Sequence, residues 1–445
     1  VVNLDLLRSS FYPSCHEANI ISVAAQDLDH WIDVFNAEII SLQARRDAMQ
    51  RDRELHRAIL APIRRLPVEI LSRIILLSAE TGDFEDACAG TLTTSHRLPA
   101  LGVCHTWRSI ALNTPQLWAN IFIDATENAS PTFTPLIQEE LMRTAQAPLH
   151  VLMNFGGEDP MPSASMALEQ NWNEDLWDIL CAQSNRWSSV WLCRIPYMVY
   201  DDLAERPMPL LRTLKLDFHS PLYGEACQLP LAVFSGASNL REVHAAYAET
   251  PITLVLPSAW AVLTNIDISA DSERCPELTP CLPAILARCD TLRVCRLTTR
   301  YFGTLAEPPV TPLPALEELD LKDGAISVCR LISTPTLRIA KLRWGVGRNG
   351  PCDMQAFTAM VQRSSAWRTL YSITLSSLDV APCTVIDCLR YLPHLTDLCI
   401  ENNWHRTSTS RHPPLVSTTL VQALTRNDAK PDTIGLLPRL IHLEL

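Results

Sequence analysis

A short apolar pattern, L-x-x-L-x-L, recurs through the second half of the chain and constrains its fold more than any other feature. Apolar residues at alternate positions predict a short strand with one buried face. In five copies a Pro stands two residues before the first leucine. This Pro disfavours helix at the residue before it. Because no copy can bury its apolar face alone, we expect neighbouring copies to stack. Nine copies, with starts between 21 and 45 residues apart, begin at Leu211, Leu240, Leu263, Leu292, Leu316, Leu337, Leu370, Leu395 and Leu440, and a fainter one begins at Trp187.

The composition excludes several classes of function. The net charge of −12 disfavours nucleic acid or an anionic membrane as the main partner, since both require a basic face. No run of 18 apolar residues predicts a membrane span, and the first residues do not form a signal peptide. The 15 cysteines are scattered without a C-x-x-C motif, which favours reduced thiols over disulfides or a metal site. We therefore expect a cytoplasmic or nuclear protein, or one found in both compartments.

A segment rich in helix formers, 21–60, precedes Pro62. Alternate steps of four and three residues from Ile21 reach seven apolar residues in succession, ending at Leu42, which is the spacing of a coiled coil. The series is interrupted at Arg46 and Arg53. The pattern predicts an amphipathic helix that packs either on another chain, giving self-association, or on its own downstream domain.

A turn and a second helix are predicted over residues 63–77, with Pro67 tolerated in the first helical turn. The apolar residues from Ile70 to Leu77 cover more than one side of this helix. In so small a unit one side should face the local core, while the other side needs a partner.

A further helix is predicted after a polar insertion at 81–96. Helix-spaced apolar residues extend from Leu101 to Leu112, and Pro115 ends the pattern. Two apolar anchors, Leu117 and Trp118, follow this proline.

The combined motif is Leu66-Pro67-x-Glu69-Ile70-Leu71, Val103-Cys104-x-x-Trp107-x-x-Ile110-Ala111 and Leu117-Trp118. It resembles an F-box, in the form common in fungal F-box-like proteins, with the insertion as a departure. The resemblance implies docking on a Skp-type adaptor and, through it, a cullin–RING ubiquitin ligase. The adaptor-binding residues expected on this basis are Leu66, Pro67, Ile70, Leu71, Ile74, Val103, Trp107, Leu117 and Trp118.

The repeated strand pattern is similar to leucine-rich repeats of the irregular type. We expect an α/β chain with a coiled-coil-like helix, a small all-helical F-box and a curved repeat solenoid, or horseshoe. The target protein, whose identity the sequence does not give, should bind the solvent-facing strand positions. Candidates are Arg212, Lys215, Glu317, Asp320 and Lys322, and the favoured alternative is that these are simple solvated strand positions without a binding role. The expected divisions are an N-terminal segment 1–20, the helix 21–60, the F-box-like domain 61–122, a connecting segment 123–185 and the repeats 186–445.

Because no Met precedes Val1 and the last copy ends at Leu445 without a polar cap, we expect a fragment truncated at its C-terminal end.

A glycine-rich segment, 345–350, fits the G-x-G-x-x-G pattern of dinucleotide sites. Pro351 follows where a helix should already be running, and Asp379 lies too far along the chain for the usual acidic partner. A loop between repeats is the better interpretation. No nucleophile, carboxylate pair or metal-ligand spacing was found, so we expect no enzymatic activity, cofactor or metal. The alternatives are a repeat scaffold without a ligase role, a nucleotide-binding enzyme, or a structural protein assembled through the helix 21–60.

Overall fold

The computed structural model describes residues 8–9, 11–79, 99–124, 133–154, 173–193, 195, 197–204, 206–217, 233–246, 260–270, 282, 285–299, 310–345, 352–401, 414–425 and 436–445. The chain divides into two compact units, Val1–Ile75 and Leu76–Leu445. The polar insertion at 81–96 lies outside the described residues.

The first unit is dominated by a 45-residue helix, α1 (Cys15–Ile59). It begins six residues earlier than the apolar pattern predicted, because Ser14 and Glu17 form a capping box there. The Glu17 amide donates to Ser14 Oγ, and the Ser14 amide donates to Glu17 Oε2 over 2.9 Å. A 3₁₀ turn (Pro62–Arg65) follows, and α2 (Val68–Ala79) begins in this unit and crosses the division.

The second unit opens with two short helices, α3 (Pro99–Val103) and α4 (His105–Leu112), where the sequence predicted one continuous helix. Cys104 separates them because its backbone is extended, with φ −164° and ψ 171°. The Arg108 side chain donates to the Leu101 carbonyl over 2.9 Å and ties the two helices together. A 3₁₀ turn (Pro115–Trp118) then leads into the first strand.

A parallel sheet of twelve described strands forms the rest of the second unit, and the strands are ordered along it as they occur in the chain. They are β1 (Asn120–Asp124), β2 (Leu149–Asn154), β3 (Trp187–Cys193), β4 (Thr213–Asp217), β5 (Glu242–Ala246), β6 (Asn265–Ala270), β7 (Val294–Thr299), β9 (Glu318–Asp323), β11 (Ile339–Arg343), β12 (Ser372–Ser376), β13 (Asp397–Glu401) and β14 (His442–Glu444). Two further two-residue strands, β8 (Thr311–Pro312) and β10 (Ile332–Ser333), pair with each other.

The second apolar position of every copy lies in one of these strands, and the copies are in register. The second apolar position of each copy forms one buried column that crosses the sheet until its last strand. Within this column Leu319 lies between Cys295 and Ala340 on the neighbouring strands. Period-two alternation therefore places the same side of every strand in the core.

Helices between the strands complete one hydrophobic core. They are α5 (Phe133–Arg143), α6 (Glu174–Cys181), α7 (Met354–Ser364), α8 (Pro382–Leu389) and α9 (Thr418–Leu424). The segment 123–185, expected to be only a connection, contributes β2, α5 and α6 to this unit. These elements lack the leucine pattern; β2 is placed by pairing with β1 and β3, and the two helices by packing in the core.

Candidate functional site

Helix α2 has one apolar side that is buried and another that is exposed. Leu71 and Ile75, one helical turn apart, are buried, at 3% and 1% exposure. Ile70 and Leu77, on another side of the helix, remain exposed at 49% each, and Val68 is exposed in the first helical turn. The structure thus agrees with the expectation that one side of this helix lies in a core while the other carries apolar residues into solvent.

Pro67 fixes the start of α2. It is exposed and directly precedes the first helical residue, and its carbonyl accepts hydrogen bonds from the amides of Ile70 (3.1 Å) and Leu71 (3.0 Å). Its ring removes no donor that the helix needs at this position. Half-buried Leu66 closes the preceding turn, its amide donating to the Ile63 carbonyl over 3.3 Å.

A second group of candidate residues lies at the start of the second unit. Val103 at the end of α3 is exposed, whereas Trp107 in α4 and Leu117 in the following turn are half-buried. Ile110 and Ala111, three and four residues after Trp107 and so on the same side of α4, are buried. The local sequence therefore again leaves apolar surface next to a packed helix face.

Trp118 holds this region together from inside. It is 4% exposed, and its indole Nε1 donates to the Ala111 carbonyl over 2.9 Å. The Arg143 guanidinium lies 4.6 Å from the Trp118 ring centroid, which places a cation against its face. This tryptophan joins α4, α5 and the turn before β1.

The nine predicted adaptor-binding residues thus fall into three groups: Pro67, Ile70 and Val103 are exposed; Leu66, Ile74, Trp107 and Leu117 are half-buried; Leu71 and Trp118 are buried. The side chains of Leu71 and Trp118 are packed in the fold and present little accessible surface. Val68 and Leu77 are exposed apolar residues of α2 that the prediction omitted. Leu77 lies one heptad after Ile70 and away from the side of Leu71 and Ile75, which is the signal that identifies it, whereas Val68 shares the side of Leu71 and is exposed in the first helical turn.

Residues 63–124 match the family model of F-box-like domains. The chain contains an F-box-like domain. The match takes in the 3₁₀ turn before α2, helices α2 to α4 and strand β1. No curated protein matches the chain.

Beyond the F-box-like domain, the solvent-facing positions of the sheet carry charges in neighbouring strands. Arg296 on β7 and Lys341 on β11 both contact Glu318 Oε1 on β9, over 3.4 and 3.1 Å. Arg343 forms an ion pair with Asp320, whose carboxylate is 5% exposed while the guanidinium is 48% exposed. The carboxylates are covered and the cationic groups reach outward, so three adjacent strands share one charged surface.

Partial burial alone would raise the pKa of Glu318. The hydrogen bond and charge of Lys341, together with Arg296, outweigh it and hold this pKa below its ordinary value. The carboxylate is therefore ionised at neutral pH, the form that pairs with both cations.

The other expected solvent-facing residues differ in environment. Arg212 and Lys322 are exposed, and the Lys215 ammonium lies 4.7 Å from the Trp191 ring centroid. Glu317 pairs with Arg338 over 3.9 Å at an exposed position.

Among the described residues, no cluster of three His, Cys, Asp or Glu side chains could hold a metal ion. The described cysteines form no disulfide. Burial raises the pKa of Cys295 to about 12, and that of Cys388 to about 11. These thiols stay protonated at neutral pH, as expected for core residues.

The glycine-rich segment lies mainly outside the described residues. The strands on either side of it, β11 and β12, are adjacent and parallel. Asp353, just beyond it, caps α7 by accepting the Ala356 amide over 3.1 Å. No helix in the described part of the chain is long and apolar enough to cross a membrane.

Proposed function

We propose that this protein is a substrate receptor of an SCF-type cullin–RING ubiquitin ligase. The F-box-like domain docks on the Skp-type adaptor, and the parallel sheet binds the target protein. The observation that carries the proposal is that the family match coincides with exposed apolar residues on α2, whose other side is buried. Such a surface is costly to leave in water and is typical of a protein interface.

Adaptor docking centres on Ile70 in this proposal. Ile70 follows exposed Pro67 and Val68 in the sequence and is itself half accessible. Val103 supplies a further exposed apolar contact, and the half-buried Trp107 and Leu117 contribute their accessible edges. Apolar anchors of this kind dominate the energy of most interfaces.

The sheet is the target-binding part of the proposal. We interpret its sequential parallel strands and in-register leucine columns as an irregular leucine-rich-repeat solenoid. The charged surface formed by Arg296, Glu318, Lys341, Asp320 and Arg343 offers charged hydrogen-bonding groups to a target of mixed charge.

The receptor needs no catalytic residue of its own. Holding the target near a charged ubiquitin-conjugating enzyme raises its effective concentration at the reacting thioester. We expect the protein to act in the cytoplasm, the nucleus or both, where its cysteines stay reduced.

Co-purification with a Skp-type adaptor tests the proposal. The full chain and the adaptor are co-expressed, and the wild type is compared with Ile70→Asp. Val310→Asp is the matched control, because Val310 is a similarly exposed apolar residue outside the F-box-like domain. We expect the adaptor to co-purify with the wild type and the control and to be lost from the Ile70→Asp variant.

Two outcomes would contradict the proposal. A wild-type chain that does not retain the adaptor would favour a repeat scaffold without a ligase role. Adaptor binding that is indifferent to Ile70→Asp would place the docking surface elsewhere.

A further inference from the structure

We propose that α1 pairs with α1 of a second copy of this chain as an antiparallel coiled coil. This inference is independent of the ligase role, since it concerns the first unit alone. Three features of α1 carry it: an exposed apolar seam, opposite charge in its two halves, and two arginines within the seam.

Helix α1 carries a long apolar seam in solvent. None of its 45 residues is buried, and its length is about 67 Å at 1.5 Å per residue. The seam residues Leu28, Ile32, Phe35, Ile39 and Leu42 are each between 51% and 63% exposed. A single exposed helix with such a seam gains stability by covering it with a partner helix.

The two halves of α1 carry opposite net charge. Residues 15–40 contain five acidic residues (Glu17, Asp27, Asp29, Asp33 and Glu38) and no Lys or Arg. Residues 41–59 contain five arginines (Arg45, Arg46, Arg51, Arg53 and Arg57) against three acidic residues. Only an antiparallel partner places the acidic half of one helix beside the basic half of the other, so charge complementarity favours a second copy in this orientation.

The seam arginines oppose a parallel arrangement. In a parallel pair, Arg46 and Arg53 would each face the same arginine of the second copy, and like charges would meet in two layers of the seam. Aligning Ile39 with the partner's Leu42 in the antiparallel sense places Arg46 against the partner's Phe35. There the arginine stem covers an apolar ring while its guanidinium reaches water.

The same alignment brings together one charged pair that distinguishes an antiparallel dimer from a parallel one. Glu38 and Arg45 both flank the seam on the same side of the heptad, so Glu38 lies beside the partner's Arg45. The two-fold symmetry of the dimer makes this contact twice. In a parallel dimer Glu38 would instead face the partner's Gln43, and Arg45 the partner's Gln50.

A charge-reversal series on the full chain tests orientation as well as association. Sedimentation velocity measures the dimer dissociation constant of the wild type, Glu38→Arg, Arg45→Glu and the double variant. Arg51→Glu is the matched control, since it makes the same charge change as Arg45→Glu on the outward side of the helix. Each single reversal turns two attractions into repulsions and should raise the dissociation constant about tenfold.

The double variant should restore the dissociation constant to within about threefold of the wild type, and the control should change it by a similarly small factor. Restoration also shows that the single variants were folded. A wild type that stays monomeric at micromolar concentration would overturn the proposal. So would a dimer on which the single reversals have no more effect than the control, because that is the behaviour of a parallel dimer or of another interface.

Discussion

Leu319→Ala should destabilise the second unit far more than the same change at Leu443. Both residues occupy the second apolar position of a repeated pattern, so the sequence alone treats them as equivalent. Leu319 is fully buried in β9 between two neighbouring strands, whereas Leu443 lies in β14 beside β13 and is 45% exposed.

The magnitude follows from burial. Shortening a buried leucine to alanine loses about 2–3 kcal/mol of transfer free energy, and the cavity left behind adds to this. The cross-strand neighbours of Leu319 are the small residues Cys295 and Ala340, which have few atoms to move into the space. We therefore expect a loss of about 3–5 kcal/mol for Leu319→Ala and about 1 kcal/mol or less for Leu443→Ala.

Urea unfolding of the full chain, followed by tryptophan fluorescence, measures both losses in free energy of unfolding. The fully buried Trp177, Trp187 and Trp260 belong to the core of the second unit and report its unfolding. Equal losses for the two variants would refute the reasoning, as would a loss below about 1 kcal/mol for Leu319→Ala.

Three more predictions concern single side chains. Trp118→Phe should lower the unfolding free energy by about 1 kcal/mol, since it removes a buried hydrogen bond to a main-chain carbonyl; thermal denaturation checks this, and an unchanged melting temperature would count against the bond. The pKa of Glu318 is lower in the folded protein than in the unfolded chain. The ionised carboxylate therefore stabilises the fold at pH values above the unfolded-state pKa, and this stabilisation is lost as the pH falls through the folded-state pKa. The difference in unfolding free energy between wild type and Glu318→Gln should therefore shrink in acid, and a pH-independent difference would contradict the pairing with Lys341. In native protein, iodoacetamide should modify exposed Cys383 much faster than Cys295, as mass spectrometry would measure, and equal rates would contradict the burial.

Most of the sheet was predictable from residues alone because its strands repeat one apolar pattern. Each copy has to bury the same side, so a period of two fixes both the strand and its inward positions. Strands β1 and β2 could not be found this way. Their apolar residues follow no leucine pattern, and only the pairing of β1 with β2 and of β2 with β3 defines their place in the sheet.

The sequence identified the motif residues of the candidate site but not which of them are exposed. The motif around Leu66 and Trp118 identified the F-box-like domain correctly, yet motif membership does not distinguish an anchor from a core residue. Leu71 and Trp118 are buried, while Ile70, next to Leu71 on the same helix, is exposed. That distinction depends on which side of α2 faces the core, which tertiary packing decides and local pattern does not.

The central claim is that exposed apolar residues of the F-box-like domain bind a Skp-type adaptor. Calorimetric titration of the purified full chain with the adaptor tests it most directly, using the wild type, Ile70→Ala and Val310→Ala. We predict saturable binding with a negative heat-capacity change, a dissociation constant raised about tenfold or more by Ile70→Ala, and one changed less than about twofold by Val310→Ala. No measurable binding by the wild type, or equal effects of the two substitutions, would contradict the account.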